Sequence, residues 1–505
     1  MKNTFLYSSV LLALASCTTE VQQKPNIVFI LADDMGYGDV SCLGAKTKLQ
    51  TENIDRMAQE GVLFTDAHSS SSVSTPTRYG VLTGRYNWRS RLKSDVLFGY
   101  DKPIIKEDRE TMASMLRRQG YTTAGIGKWH LGWEWNNVDA GHDSVDFSKP
   151  ITNGPTTRGF DYFYGISGSL DMSPYVYVEN DKVTALPNRK TVNKGQYTWW
   201  REGPTGADFE HEQVLPNFTN RACNYIKEKA KSDQPYFLYL AMPAPHTPIL
   251  PTEEFRGKSG IGEYGDFVLM VDAMVGKVLQ AVKESGEDEN TIVVFTTDNG
   301  CSPSAGFEKM KELGHYANSI YRGYKSDLFD GGHRIPCVLR WPAKVKPHKV
   351  NQTICLTDFY ATFAAAADHK LVDSEGEDSY NLMPALRADK EIEPIREATI
   401  HHSIDGMFTI RQGEWKLLLS AGSGGWSQPR GKKALEGLPL VQLYNMNDDP
   451  SETKNLQAEH PEKVRELRDL LLKYIRDGRS TPGAPQPNEN GNEWRQVKEV
   501  MNLPL

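Results

Sequence analysis

Five short apolar runs mark the first two thirds of the chain: NIVFILADD (26–34), TTAGIGKWH (122–130), YFLYLAM (236–242), TIVVFTTDNG (291–300) and PCVLRW (336–341). They are rich in β-branched and aromatic residues and bounded by polar or turn-forming ones, the pattern of parallel strands buried on both faces. Helical spacing fills the intervals. In ETMASMLRRQG, Met112, Met115 and Leu116 share one face and Gly120 ends the pattern. In FVLMVDAMVGKVLQAVKESG, Val268, Val271, Val275, Val278 and Val282 recur at helical intervals up to Gly286. Strands alternating with helices predict an α/β fold: a large mixed, mostly parallel sheet flanked by helices.

In such sheets ligands bind beyond the carboxyl ends of the strands, so the strand endings are informative. The first run ends in Asp33-Asp34 and the fourth in Asp298-Asn299. The second ends in Lys128 and His130, and the third leads to His246. Polar groups converge on one edge, and that edge is the predicted site.

From about residue 395 the pattern changes. TIRQGEWKLLLS and VQLYNMND read as antiparallel strands, and PEKVRELRDLLLKYIRDG as an amphipathic helix with Pro461 at its start and Val464, Leu467, Leu471 and Ile475 inward. The expected division is a catalytic domain over 24–394 and a smaller C-terminal α+β subdomain over 395–505, a four-stranded antiparallel sheet plus a helix. Residues 144–215, rich in Gly, Pro, Asn and aromatics, are expected to form loops over the site.

Composition narrows the class. A net charge of -7 over 505 residues argues against a nucleic-acid partner. At the N-terminus, Lys2 precedes the apolar run FLYSSVLLALAS, too short to span a bilayer. The stretch LASC, ending at Cys17, resembles a bacterial lipoprotein cleavage site. Residues 1–17 therefore read as a signal peptide, and the protein as exported: periplasmic, or anchored at the bacterial cell envelope by a lipid on Cys17, its only membrane contact. Cys42, Cys223, Cys301, Cys337 and Cys355 show no CxxC or zinc spacing and are expected to be buried thiols.

The chemistry centres on SVSTPTRYGVLTGR, Ser72 to Arg85. Ser74-Thr75-Pro76-Thr77-Arg78 followed by Leu82-Thr83-Gly84-Arg85 resembles the signature of type I sulfatases, of the alkaline phosphatase superfamily. Further blocks are similar to that family's, in its order: NIVFILADDMGYGD, GKWHLG, RGFDYFYG, APHTP, TTDNG, RGYKSDLFDGGHRIP, EWKLL and LYNMNDDPSETKNL. Two positions depart from the family pattern: Thr77, where Ser is commoner, and Asp330, where Glu is usual.

The resemblance implies that Ser74 is oxidised to formylglycine, whose hydrate attacks sulfur and then collapses to release sulfate. It implies Arg78 beside the nucleophile, and Lys128 and Lys325 as fixed cations opposing charge on the moving sulfuryl group. His246 is expected to protonate the leaving oxygen and His130 to act on the second hydroxyl of the hydrate. Asp33, Asp34, Asp298 and Asn299 are hard oxygen donors; with the oxygen of residue 74 they would hold one Ca²⁺, and calcium rather than magnesium is implied by the family alone. A serine-type site implies an anaerobic sulfatase-maturating enzyme as a partner.

The expected substrate is a sulfated oligosaccharide. YNWRSRLKSDVLFGY and GISGSLDMSPYVYVEN are most similar to galactosamine-6-sulfatase and arylsulfatase members, implying exo-acting removal of 6-O-sulfate from galactose or N-acetylgalactosamine in host or dietary glycans. Asp171 is the candidate for reading sugar hydroxyls, as an exposed carboxylate of the empty pocket. The alternatives are another sulfated sugar or position, a phosphoester or phosphonate hydrolase of the same superfamily, and a glycan-binding lipoprotein without catalysis. The last leaves the Asp-Asp, Lys-x-His and Asp-Asn endings without a purpose.

Overall fold

The computed structural model describes residues 23–503 apart from 45, 193, 194 and 196; residues 1–17, with Cys17, lie outside the described residues. Among the described residues, ten strands form the main sheet: β1 (Asn26–Ala32), β2 (Val62–Phe64), β3 (Thr122–Lys128), β4 (Tyr162–Ile166), β5 (Val178–Glu179), β6 (Lys182–Val183), β7 (Tyr236–Ala241), β8 (Thr291–Thr297), β9 (Cys337–Arg340) and β10 (His348–Val350). Their spatial order is β10-β2-β9-β8-β1-β7-β3-β4-β5-β6. The centre, β8-β1-β7-β3-β4, is parallel throughout.

All of β1 is buried, because it feeds two cores in turn. Ile27, Phe29 and Leu31 face one core, and Val28, Ile30 and Ala32 the other. On the first face pack α2 (Ser74–Thr83), α3 (Met112–Arg118) and α6 (Asp358–Ala366). On the second pack α1 (Glu52–Glu60), α4 (Val214–Lys229) and α5 (Glu263–Glu284). The valine stripe of α5 and the Met-Met-Leu face of α3 are buried, as their spacing predicts.

Two expectations change. The run at 336–341 does form a strand, β9, but it lies antiparallel to both neighbours. The chain leaves β8 at the functional edge, builds residues 298–335 there and re-enters the sheet from the same edge, which reverses its direction. The segment 144–215 is also not loop alone, since it supplies β4, β5 and β6 at the sheet margin and the start of α4.

A second sheet is antiparallel, in the order β11 (Thr399–His402), β12 (Phe408–Gln412), β13 (Trp415–Leu418), β14 (Gln442–Asn445). Against it packs α7 (Pro461–Asp477), burying Val464, Leu467, Leu471 and Ile475 on Ile410 and Leu417. All five described cysteines are free; Cys301, Cys337 and Cys355 are buried, whereas Cys42 is exposed and Cys223 half-buried because both lie on outer surfaces.

Candidate active site

Because β1, β3, β7 and β8 run parallel, their carboxyl ends coincide. Asp33-Asp34, Lys128–His130, the 244–246 turn and Asp298-Asn299 thus meet at one edge. Ser74 reaches it from the opposite side, as the first residue of α2. A helix N-terminus directs its free N–H groups and positive dipole end at whatever sits there, which favours an anion. Thr75 Oγ1 donates to His130 O at 2.9 Å, joining the helix start to the end of β3. The other end of α2 stops at Gly84, whose φ of +62° is left-handed. Beyond it Arg85 turns away from the edge to Glu377 and Glu489, at 3.5 and 3.3 Å. The two arginines of the signature thus have different tasks.

Ser74 Oγ lies 3.4 Å from Asp33 Oδ1 and accepts from Lys128 Nζ at 3.2 Å. Lys128 Nζ also donates to both oxygens of Asp33, at 3.0 and 2.8 Å. Arg78 donates to Asp298 Oδ2 from Nε at 3.2 Å and from its terminal nitrogen at 2.8 Å. Lys325 Nζ donates to Asp34 Oδ2 at 2.8 Å, and Asn299 Nδ2 to Asp34 Oδ1 at 2.7 Å. His246 Nε2 is 3.6 Å from Asp34 Oδ2.

Three buried carboxylates thus face three cations. Burial alone would raise Asp33, but Lys128, His246 and Arg78 outweigh it and hold its carboxyl at about 2. Asp34 is lowered in the same way, against burial, by Lys325 and His246. The two lysines diverge. Burial, helped by Arg78, pulls Lys128 below its ordinary value despite Asp33. At Lys325 the attraction of Asp34 and Asp33 exceeds the burial penalty and raises it. His130 is driven well below the usual imidazole range by burial and by Lys128 and Arg78. Its Nε2–H donates to Leu97 O at 2.6 Å, which leaves Nδ1 buried with no partner.

A cavity of about 360 Å³ opens above this edge, with Asp34, Ser74, His130, His246 and Lys325 at its base. Asp171 and Arg201 form part of its wall, with Phe98, Trp199 and Trp426 as its aromatic lining. Asp33, Arg78, Lys128, Asp298 and Asn299 sit behind the lining. The structure therefore brings together every residue singled out at the strand ends, with Ser74, Arg78 and Lys325. Asp171 also faces the cavity, but its expected exposure is corrected: it is only 6% exposed. Arg201 covers it, donating to Oδ2 at 2.6 Å, while Oδ1 is buried without a hydrogen-bond partner, 3.9 Å from His246 Nδ1.

Arg201, Phe98, Trp199 and Trp426 escaped the sequence reading. TWWREG, which carries Trp199 and Arg201, offered a signal in its aromatic and cationic clustering within a loop segment. Trp426, in the glycine-rich GSGGWS, offered none.

The four oxygen-bearing side chains Asp33, Asp34, Asp298 and Asn299 fit a hard divalent cation. The observation that supports the fit is Asn299 Oδ1, a carbonyl oxygen buried without any hydrogen-bond partner. One ligand atom from each of Asp33, Asp34 and His246 also falls within a 4.8 Å span.

A mostly parallel sheet whose strand ends gather buried carboxylates, cations and histidines around a serine at a helix start defines an α/β protein with a candidate catalytic site at that edge. Comparison with known proteins narrows this. The chain belongs to the sulfatase family, whose model, described as Sulfatase, matches residues 25–369. The N-acetylgalactosamine-6-O-sulfatase of Bacteroides thetaiotaomicron is 34% identical, over 91% of this chain and 96% of its own. Human arylsulfatase A is 30% identical, over 95% and 93% respectively. A solved Bacteroides thetaiotaomicron structure, from work on the metabolism of multiple glycosaminoglycans, matches with a TM-score of 0.77 at 33% identity, covering 89% of this chain and 99% of that one. The protein is a sulfuric ester hydrolase, and its family implies a formylglycine and a divalent metal.

Proposed function

We propose that the enzyme is an exo-acting carbohydrate sulfatase that removes 6-O-sulfate from a terminal galactose or N-acetylgalactosamine. The observation that carries this reading is a cavity whose base is Ser74 between Lys128 and Asp33, with two histidines and Lys325 around it. A sulfate ester on a primary carbon stands clear of the ring, which leaves the ring hydroxyls for the cavity wall. Asp171 Oδ1, which accepts no hydrogen bond within the protein, is an acceptor suited to them. The similarity to a protein named N-acetylgalactosamine-6-O-sulfatase supports the same sugar and position.

Ser74 is the residue converted to formylglycine, by an anaerobic maturase. Asp33, Asp34, Asp298 and Asn299, with residue 74, are assigned to one Ca²⁺. When present, formylglycine supplies the attacking oxygen and the cation opposes charge on the sulfate oxygens. The chain's own groups do the rest. Lys128 and Lys325 stabilise negative charge as the sulfuryl group moves, and Arg78 keeps Asp298 in place. His246 Nδ1 lies 2.5 Å from Thr247 O and donates its proton there, leaving Nε2 to deliver a proton to the leaving oxygen. His130 is the base: its Nδ1 lone pair is free and burial keeps the ring neutral. Export, with a lipid on Cys17 at the cell envelope, completes the reading.

The test uses protein co-expressed with an anaerobic maturase and a panel of defined sulfated mono- and disaccharides. Mass spectrometry of the Ser74 peptide should show loss of two hydrogens; an unmodified peptide in fully active enzyme refutes the nucleophile. Turnover should favour 6-sulfated galactose or N-acetylgalactosamine, and preference for a glucosamine or uronic-acid sulfate overturns the sugar. Asp171→Ala should lower kcat/KM on the sugar by roughly tenfold or more while an aryl sulfate, with no ring hydroxyls, changes far less.

A further inference from the structure

Asp34, in the turn just past β1, has φ at +64°, in the left-handed region that residues with a Cβ seldom occupy. Such a conformation persists only where the surroundings over-determine it. Here the backbone is held on each side. Asp34 N–H donates to Asp298 Oδ1 at 3.2 Å, and Met35 N–H to Thr297 Oγ1 at 3.1 Å. The Asp34 carbonyl oxygen lies 3.0 Å from the Tyr264 hydroxyl, whose oxygen is also 2.6 Å from Asp39 Oδ2. One phenolic proton thus bridges the strained residue and a second carboxylate.

That carboxylate is the hub. Asp39 Oδ2 accepts from Gly36 N–H at 2.7 Å, and Oδ1 from His315 Nε2–H at 2.7 Å. His315 Nδ1 in turn accepts from Lys48 N–H at 3.2 Å, which leaves Nε2–H to donate to Asp39. Burial and Asp39 hold the Tyr264 phenol well above its ordinary value, so it stays a donor. Asp39, Tyr264 and His315 are all buried, and none of them lines the cavity. The turn has no room to slide: a Cβ on Gly36 or Gly38 would lie 2.1 or 2.0 Å from the carbonyl oxygens of Ala317 and Tyr316.

We infer that Asp39, through Tyr264 and the Gly36 N–H, is a positioning residue that holds Asp34 in its left-handed turn and so aims its carboxylate, an inference that rests on Asp34 being a metal ligand. Without the bridge Asp34 can relax toward an ordinary extended φ. Its carboxylate then leaves Asn299 and Lys325, now at 2.7 and 2.8 Å. Groups behind a ligand typically govern metal affinity by orienting that ligand, so the effect belongs to cation binding before it belongs to the fold.

The experiment is calcium titration by calorimetry on chelator-stripped protein, with native packing checked by near-ultraviolet circular dichroism. Wild type, Asp34→Ala, Tyr264→Phe and Asp39→Asn are compared. Asp34→Ala should lose measurable binding. Tyr264→Phe and Asp39→Asn should keep the native spectrum and raise the calcium Kd by roughly 10- to 100-fold. Wild-type affinity in Asp34→Ala refutes the metal assignment itself. Lost binding in Asp34→Ala together with wild-type affinity in a natively folded Tyr264→Phe overturns the positioning role alone. Tyr264→Phe removes a single oxygen and decides the matter if Asp39→Asn does not fold.

Discussion

Two buried charge clusters in this molecule have the same ingredients and different designs. At the strand edge, Asp33, Asp34 and Asp298 meet Arg78, Lys128 and Lys325. At the joint between the large and small sheets, Asp66, Asp330 and Glu452 meet Arg334, Arg411 and Lys416. The joint also holds three buried histidines, His68, His333 and His401, grouped tightly enough to suggest a metal site of their own. Their nitrogens are already engaged. His68 bonds Asp66 at 2.8 Å and His333 at 2.9 Å, His333 reaches Leu328 O at 3.0 Å, and His401 reaches Ser69 O at 2.6 Å. His333 and His401 stack with ring centroids 4.0 Å apart, and none of the three lines the Ser74 cavity.

The edge cluster is built open. It leaves the neighbouring Asn299 Oδ1 and His130 Nδ1 buried without partners and sets Asp34 and Lys325, beside Ser74, His130 and His246, against a cavity. Buried polar groups are costly when unpaired. The joint has orphans too, Asp330 Oδ2 and Arg334 Nε, but they lie within an ion pair of 3.5 Å and away from the cavity; unfilled valence therefore marks chemistry only where it borders a cavity. Ligand-like residue types alone do not separate the two clusters.

The largest expected effect breaks the open cluster. Asp298→Ala strands Arg78 and removes a candidate cation ligand, and turnover should fall on the order of 10⁴-fold. Metal analysis should find the ion depleted; full occupancy contradicts the ligand assignment.

Lys416→Met attacks the closed cluster. It removes the ammonium 2.6 Å from Glu452 and 2.7 Å from Asp330, leaving Glu452 without its ion-pair partner and Asp330 with Arg334 at 3.5 Å. Unfolding in urea should show a loss of about 3–5 kcal/mol, while the folded fraction keeps kcat within a few-fold. A large drop in kcat with unchanged stability would erase the distinction between the clusters.

The third effect is smaller and pH-dependent. His402 abuts the joint: its carbonyl oxygen accepts from Ser71 Oγ at 2.9 Å and Ser72 N–H at 3.2 Å, steadying the chain that enters α2. Burial lowers its imidazole from 6.5 to about 4. The unfolded chain therefore binds the proton first, so this contribution is complete above pH 6.5 and is lost as pH falls toward 4. The loss amounts to about 3 kcal/mol. His402→Phe should flatten the acid limb of a melting-temperature profile; an unchanged slope assigns that limb to other groups.

Burial on both faces leaves an unbroken apolar run, so β1, β7 and β8 were visible as NIVFILADD, YFLYLAM and TIVVFTTDNG. Parallel direction then forces their endings to a shared edge, so Asp33, Asp34, His246, Asp298 and Asn299 could be named together without a fold in hand. The Ser74 signature was local, since a helix start and its nucleophile are contiguous. Asp66 and Arg411, by contrast, stand 345 residues apart, and no local pattern reports whether a charge is answered from that distance. Hydropathy likewise reports that Cys337–Arg340 is buried but not which way it runs, because direction depends on the edge at which the preceding segment ended. Asp171 read as an exposed loop carboxylate because its cover, Arg201, lies 30 residues on. The left-handed turn at Asp34 had no sequence signal either: a Cβ disfavours it, and only Tyr264, Asp39 and Asp298, brought in by folding, make it the stable conformation.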